Sequence, residues 1–226
     1  MQDLHRWAMA HHAAPGSICA MFMPHAQGLA VHASQRRLQE MLDERARPGV
    51  DQAAIDQRIR DLFEERWAVM FTDLSGFSRQ VARFGIIHFL AVIQESLRLF
   101  SPIIADHDGI LLKVEADSLL VIFRRPERAV ACARAMQAAC QAANAGRVPE
   151  DRVLLCVGLG YGDVLRIGDD DVFGPEVNAA SKLGEDIATA DQILVTDAVR
   201  QACPGLGQWT PAEETPAGTT AAWVLE

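Results

Sequence analysis

Clustered positive charge is what this sequence most plainly lacks. Its 226 residues carry 21 Lys and Arg against 30 Asp and Glu, giving a net charge of −9 and a pI near 5.2. Gripping nucleic acid along its phosphates needs clustered cations, so that function class is excluded. The densest basic run, Arg124-Arg125-Pro126-Glu127-Arg128, is short, interrupted by acid, and reads as a solvated strand end. Cysteine is scarce and odd in number. Cys19, Cys132, Cys140, Cys156 and Cys203 show no paired short spacing of the zinc type and argue against a disulfide framework, so they read as ordinary packed thiols. His11 and His12 are adjacent and cannot share a helix face, which argues against a metal site there.

Long apolar runs are missing too. Ala13 to Val31 is broken by Pro15, Gly16, Pro24, His25 and Gly28, and no stretch reads as a membrane span. Asp3, His5 and His11 stand where a basic leader would precede an apolar core, so no secretory signal is expected and a cytoplasmic location is the default. There is no internal repeat, no low-complexity tract and no dinucleotide-binding glycine fingerprint.

What is present is enough apolar content, 50%, for an ordinary core, patterned as alternating strands and helices. Helix-forming residues fill Ser34 to Glu44 and Gln52 to Glu65, separated by the breaker Arg47-Pro48-Gly49. Ile55, Ile59, Leu62 and Phe63 give the second helix one apolar face. That helix either packs on its own domain or acts as a connector setting dimer geometry. Trp67 to Phe71 reads as a buried strand, with Asp73 just past its end before a Gly-containing turn. Ile86 to Ile104 is a helix covering one side with Phe89, Val92, Ile93, Leu97 and Phe100. Ile110 to Val114 and Ser118 to Phe123 read as a hairpin whose turn presents Asp117. Glu127 to Ala145 is a helix stopped by Gly146, and Val153 to Leu159 is another strand. Gly158, Gly160 and Gly162 alternate, which points to close approach by another backbone or a ligand.

Three segments carry a resemblance. Phe71-Thr72-Asp73-Leu74-Ser75-Gly76-Phe77-Ser78, the stretch from Lys113 to Asp117, and the stretch from Asp171 to Lys182 stand in the order of the metal-binding, hairpin and asparagine-containing motifs of the class III nucleotidyl cyclases. The chain therefore resembles the adenylate and guanylate cyclase family from about residue 66 onward. The resemblance implies an α/β fold, an α+β sandwich with a ferredoxin-like, palm-type core over residues 66–226. Residues 1–65 would be an N-terminal helical extension, regulatory or dimer-supporting. It also implies conversion of ATP to 3′,5′-cyclic AMP and pyrophosphate, with two Mg²⁺ or Mn²⁺ ions per site.

Site residues follow from the matched positions. Asp73 and Asp117, with the Leu74 carbonyl, would hold metal, although Asp73 alone would also fit a helix N-cap. Ser75, Gly76 and Phe77 would offer amides to phosphate. Lys113 and Asp171 match the pair that reads adenine, where guanylate cyclases carry other residues. Asn178 would orient the ribose. Lys182 replaces the family's arginine one helical turn later, keeping charge but losing the bidentate fork. Glu115-Ala116 replaces an apolar residue and a glycine. The lysine that many members carry before the last strand is absent from residues 213–221, which leaves Arg66 as a candidate for the terminal phosphates. A head-to-tail homodimer would complete each site from two protomers. Use of GTP or a pyrimidine triphosphate, or a nucleotide-binding pseudo-cyclase with a regulatory role, are the alternatives.

Overall fold

The structure is a computed structural model that describes residues 33–76, 83–169 and 171–226. His11, His12, Cys19, Phe77, Ser78 and Asp170 lie outside the described residues. The chain divides into two compact units, Met1–Ile55 and Asp56–Glu226.

In the first unit, helix α1 (Ala33–Arg45) stops before Pro48, and Gly49 takes a φ of +79° in the connecting turn. Helix α2 (Gln52–Phe63) then starts, with its residues from Asp56 onward in the second unit. The Asp51 carboxylate accepts a hydrogen bond from the Ala54 N–H at 3.1 Å, satisfying an amide that the first turn of a helix leaves unpaired. Ile55, Ile59 and Phe63 are buried along α2, whereas Leu62 is exposed. The buried stripe follows the i, i+4 row and leaves Leu62 to one side.

Helix α2 passes without a loop into β1 (Glu64–Leu74), the central strand of the second unit. After β1 come α3 (Ile86–Asp106), the hairpin β2 (Ile110–Glu115) and β3 (Ser118–Phe123), and α4 (Pro126–Asn144). Then follow β4 (Leu155–Ile167), β5 (Asp171–Phe173), α5 (Pro175–Ser181) and a widened π turn over Lys182–Ile187. The chain closes with β6 (Ile193–Thr196), α6 (Asp197–Ala202), β7 (Trp209–Pro211) and β8 (Ala222–Leu225). The sheet runs β2-β3-β1-β4-β6-β8-β7, with β5 added to the end of β4. Its first four strands are antiparallel neighbours, the strand order of a ferredoxin-like split βαβ unit.

Burial on both sides explains why β1 is central. Ala68 and Met70 face a core built with Phe89, Val92, Ile93, Phe100 and Ile104 of α3 and Ala129, Val130 and Met136 of α4. Trp67 and Val69 face the opposite side, with Leu120, Ile122, Val177 and Ala180. Helix α3 is long and apolar enough by composition to cross a membrane, a length the sequence reading does not find. Here its stripe at 3.6-residue spacing is taken up by the core, while Glu95 and Arg98 sit on the rim of a separate cleft.

Of the alternating glycines of β4, Gly158 and Gly160 are met by backbone and Gly162 by the Glu176 side chain. A Cβ on Gly158 would lie 2.1 Å from the Ala180 carbonyl oxygen and 2.3 Å from the Gly184 nitrogen; one on Gly160 would lie 2.2 Å from the Glu176 carbonyl oxygen. Helix α5 and the π turn thus rest directly on the strand. Glu176 fastens the start of α5, its carboxylate accepting from the Tyr161 N–H at 3.0 Å and from the Thr196 hydroxyl at 2.6 Å.

Two stability outcomes follow. Gly158→Ala should lower the unfolding free energy by about 2–3 kcal/mol, because neither neighbouring backbone group can withdraw; urea unfolding reads this as a lower midpoint at unchanged slope. Ala116, in the β2–β3 turn, holds a φ of +54° where a side chain is strained. Ala116→Gly should therefore raise stability by about 0.5–1 kcal/mol in the same measurement.

Candidate active site

Asp73 lies within β1, one residue before its end, rather than beyond it. Its backbone pairs with Cys156, and that of Leu74 with Leu155. The long partner β4 holds β1 in register past its apolar run, which is why the strand outlasts the hydrophobic pattern. Period-two alternation puts Asp73 on the same face as Trp67 and Val69, the face on which α5 lies. Because β1 and β3 stay paired as far as Thr72 and Leu119, the two-residue turn Ala116-Asp117 falls beside the end of β1. Ser118 Oγ reaches Asp73 Oδ1 at 3.4 Å.

The two carboxyl groups perturb each other. Burial raises the Asp73 pKa from 3.8 to about 6, and the charge of Asp117, a hydrogen bond with Asp117 and the charge of Glu185 add to the effect; the Leu74 N–H opposes it. Asp117 is also raised by burial, against backbone N–H donation and the bond to Asp73. Asp117 Oδ2 is buried with no hydrogen-bond partner among the described residues. A pair of half-buried carboxylates with one unpaired oxygen fits a hard divalent cation, which takes oxygen ligands and often uses only one or two carboxylates beside substrate phosphates. Among the described residues no group of three or more His, Cys, Asp or Glu could hold a metal, so further ligands would come from backbone, water or substrate.

A cavity of about 300 Å³ opens beside the pair, between the hairpin, β5 and α5. Lys113, Asp171 and Asn178 line it, as do Ser118, Ser181, Glu115 and Glu185. Lys113 Nζ is 2.5 Å from Asp171 Oδ2 and 4.0 Å from Glu115 Oε1. The other Asp171 oxygen accepts from the Val172 N–H at 2.9 Å, which fixes the carboxylate plane. Asn178 is held by the α5 backbone, its N–H donating to the Gly174 carbonyl at 3.1 Å. Ser181 Oγ donates to Glu185 across one turn.

Several sequence expectations need correction. Lys182 keeps a helical link to Asn178, its N–H donating to the Asn178 carbonyl, but its ammonium pairs with Asp186 and does not line the cavity. That pairing raises the exposed lysine's pKa. Arg66 cannot serve the terminal phosphates in its own protomer. It pairs in register with Asp163 at the far end of β1, about 23 Å of strand from Asp73, and stacks over Tyr161. The Ser75 N–H is already donated to the Leu154 carbonyl at 2.8 Å, so it is not a free phosphate donor. Gly76 follows in a turn with a φ of +91°, and Phe77 lies outside the described residues. Glu185 is the residue that sequence reasoning missed. It stands next to Asp186 in an unremarkable acidic pair, and only the π turn brings it to the cavity and to Asp73.

Comparison with known proteins bears on the family and the fold. The family model described as the adenylate and guanylate cyclase catalytic domain matches residues 63–210. A relative named putative adenylate cyclase 3, from Rhizobium meliloti (strain 1021), is 32% identical over 135 residues, covering 59% of this chain and 22% of the relative. An adenylate cyclase from Streptomyces coelicolor is 29% identical over 182 residues, covering 80% of this chain and 43% of the relative. The chain thus spans less than half the length of these relatives. A solved structure of an adenylate/guanylate cyclase/hydrolase from Silicibacter pomeroyi superposes with a TM-score of 0.62 at 25% identity, covering 72% of this chain and 96% of that one.

The raised carboxyl sets a pH-dependent cost. An acid whose folded pKa of about 6 exceeds its ordinary 3.8 stabilises the fold fully below 3.8 and loses that contribution as pH rises through 6. In chelator-treated protein, Asp73→Asn, which mimics the protonated acid, should be more stable than wild type by about 1 kcal/mol above pH 6.5 once solvent screening is allowed for. Melting curves from pH 3.5 to 8 should show the advantage disappearing below pH 4.

Proposed function

Since the chain belongs to the adenylate and guanylate cyclase catalytic domain family, we propose that it cyclises a nucleoside triphosphate, with ATP giving 3′,5′-cyclic AMP and pyrophosphate. The observation that carries this reading is the half-buried Asp73–Asp117 pair with its unpaired buried oxygen, on a chain that also holds a cavity of nucleoside size for the base of a nucleotide met by a partner's pair. In the reaction the ribose 3′ oxygen bonds to the α-phosphorus, the bond from that phosphorus to the β-phosphate bridge breaks, and the hydroxyl proton leaves to solvent. Two Mg²⁺ or Mn²⁺ ions held by Asp73, Asp117 and the Leu74 carbonyl would neutralise the triphosphate and acidify the 3′ hydroxyl.

The remaining roles fall to the chain's own side chains. Lys113 donates to a ring nitrogen of adenine while Asp171 accepts from its exocyclic amine, so each must turn from the other toward the base. Asn178 holds the ribose from α5. Lys182, once released from Asp186, brings positive charge to the reacting phosphate; the exposed pair it leaves is worth little. Glu115, Asp171 and Glu185 outnumber Lys113 around the cavity, which suits an uncharged base and sugar and disfavours the phosphate tail. The tail therefore belongs with a metal pair that faces it from elsewhere.

That division supports a head-to-tail homodimer in which Asp73 and Asp117 of one protomer work with Lys113, Asp171, Asn178 and Lys182 of its partner. Phe173, which lines the cavity and is exposed, gives such a contact apolar area. An N-terminal extension leading through α2 into β1 would transmit orientation to this dimer.

Incubation with Mn²⁺ and each of the four triphosphates, followed by product identification, should yield cyclic AMP from ATP. Saturable binding without any cyclic product would favour a regulatory pseudo-cyclase instead. Asp73→Ala and Asn178→Ala should each abolish activity. An equal mixture should recover about one quarter of wild-type activity, since half the dimers are mixed and each mixed dimer keeps one intact site of two. No recovery after verified subunit exchange would remove the shared site.

A further inference from the structure

We infer that Glu185 is a positioning residue for the divalent ion at the Asp73–Asp117 pair, holding it through a bridging water rather than by direct ligation. The inference rests on the reading that this pair binds metal. The π turn lies against the strand that carries Asp73. A Cβ on Gly184 would stand 2.7 Å from the Phe71 carbonyl oxygen and 2.9 Å from the Gly158 nitrogen. Phe71 is two residues before Asp73 on β1, so both side chains leave the same face of the strand. Glu185 is the next residue after that contact. It lines the cavity together with Phe71 and with Ser118, whose hydroxyl reaches Asp73 Oδ1 at 3.4 Å.

The carboxylate is held and has capacity to spare. Ser181 Oγ donates to one Glu185 oxygen, and among the described residues nothing donates to the other. After burial and Asp117, the charge of Glu185 is the remaining influence that pushes the Asp73 pKa up to about 6, so the two acids sense each other. Yet no group of three or more His, Cys, Asp or Glu among the described residues could hold one ion. Glu185 is therefore not a direct ligand. A hard cation such as Mg²⁺ keeps several waters and takes only one or two carboxylates from the protein, and those waters are donors that a carboxylate, an acceptor only, can fix. Partners of this kind orient the ligands of a metal and raise its affinity. All three acids belong to one chain, so the effect needs no second protomer.

The test is a Mn²⁺ titration of the full chain without nucleotide, read by the electron paramagnetic resonance signal of the free ion, so that no turnover is needed. Asp73→Asn, which removes a ligand charge, should weaken Mn²⁺ binding by about tenfold or more. Glu185→Gln keeps an acceptor for Ser181 and removes the charge. It should weaken Mn²⁺ by about three- to tenfold, the low end for such a partner because Glu185 is exposed. Glu185→Asp, which keeps the charge on a shorter stem, should fall between wild type and Glu185→Gln. Asp186→Asn removes the same charge from the adjacent residue, which pairs with Lys182 and does not line the cavity. That variant should bind Mn²⁺ within about twofold of wild type, since solvent screens an exposed charge. Equal weakening by Glu185→Gln and Asp186→Asn would reduce the effect to net charge and overturn the inference. So would an unchanged Glu185→Gln beside a weakened Asp73→Asn, with the metal pair left standing. If Asp73→Asn binds Mn²⁺ as wild type does, the pair is not the metal site and the underlying reading fails.

Discussion

A strip of absent side chains on β4 determines where the rest of the site can stand. Gly158 and Gly160 let α5 and the π turn touch the strand backbone to backbone, and Gly184 returns the contact, its own Cβ position lying 2.7 Å from the Phe71 carbonyl oxygen. Interiors are packed too tightly to absorb an added methyl at such a distance without moving one partner. The partners here are main-chain groups already tied into the sheet. Helix α5 is therefore fixed in height above β4, and with it Asn178 at the cavity and Glu185 about two turns further on. Glu176 secures the same helix from its other end.

Against this rigid support, the hairpin side of the site stores electrostatic cost. Asp73 and Asp117 cannot both ionise cheaply at half-burial, and the raised pKa of each states that cost in protons. Burial alone would raise a single carboxyl; two that share a proton need a cation before both can carry charge. Ala116, held at a φ of +54°, adds conformational strain at the same turn. Strain and unpaired charge thus meet at the place where metal and substrate would offset them, while the largely apolar core beneath β1 contributes the stability that tolerates both.

Much of this was legible in the sequence because the governing signals are local. The hairpin turn announces itself through two short apolar runs, and Asp117 could be placed without knowing its neighbours. Alternating glycines on one strand face predicted a close approach, and backbone was among the options. What escaped prediction depends on partners distant in sequence. β1 extends from Glu64 to Leu74 because β4 pairs with it throughout, so its apolar segment marked neither end, and Arg66, a candidate for the terminal phosphates, lies inside the strand at the end away from Asp73. The π turn at Lys182–Ile187 contains ordinary helix formers on either side of Gly184; its widening reflects the crossing of Gly158, which no local pattern encodes. Glu185 enters the site only through that widening.

Charge supply is the constraint that ties these parts together. A triphosphate needs positive charge along its length, yet the arginine fork is a lysine held by Asp186, residues 213–221 contain no cation, Arg66 lies at the far end of β1, and the Ser75 amide is already bonded. The cavity itself is acidic. Among the described residues little can hold the tail, and under the proposed reading the compensating charge would come with divalent ions at Asp73 and Asp117 and with side chains of a second copy. A site that works as proposed would bind its substrate weakly until metal and partner are in place. Control over either one would then act on turnover directly, and α2, which runs without a loop into the strand carrying Asp73, is the element placed to exert it.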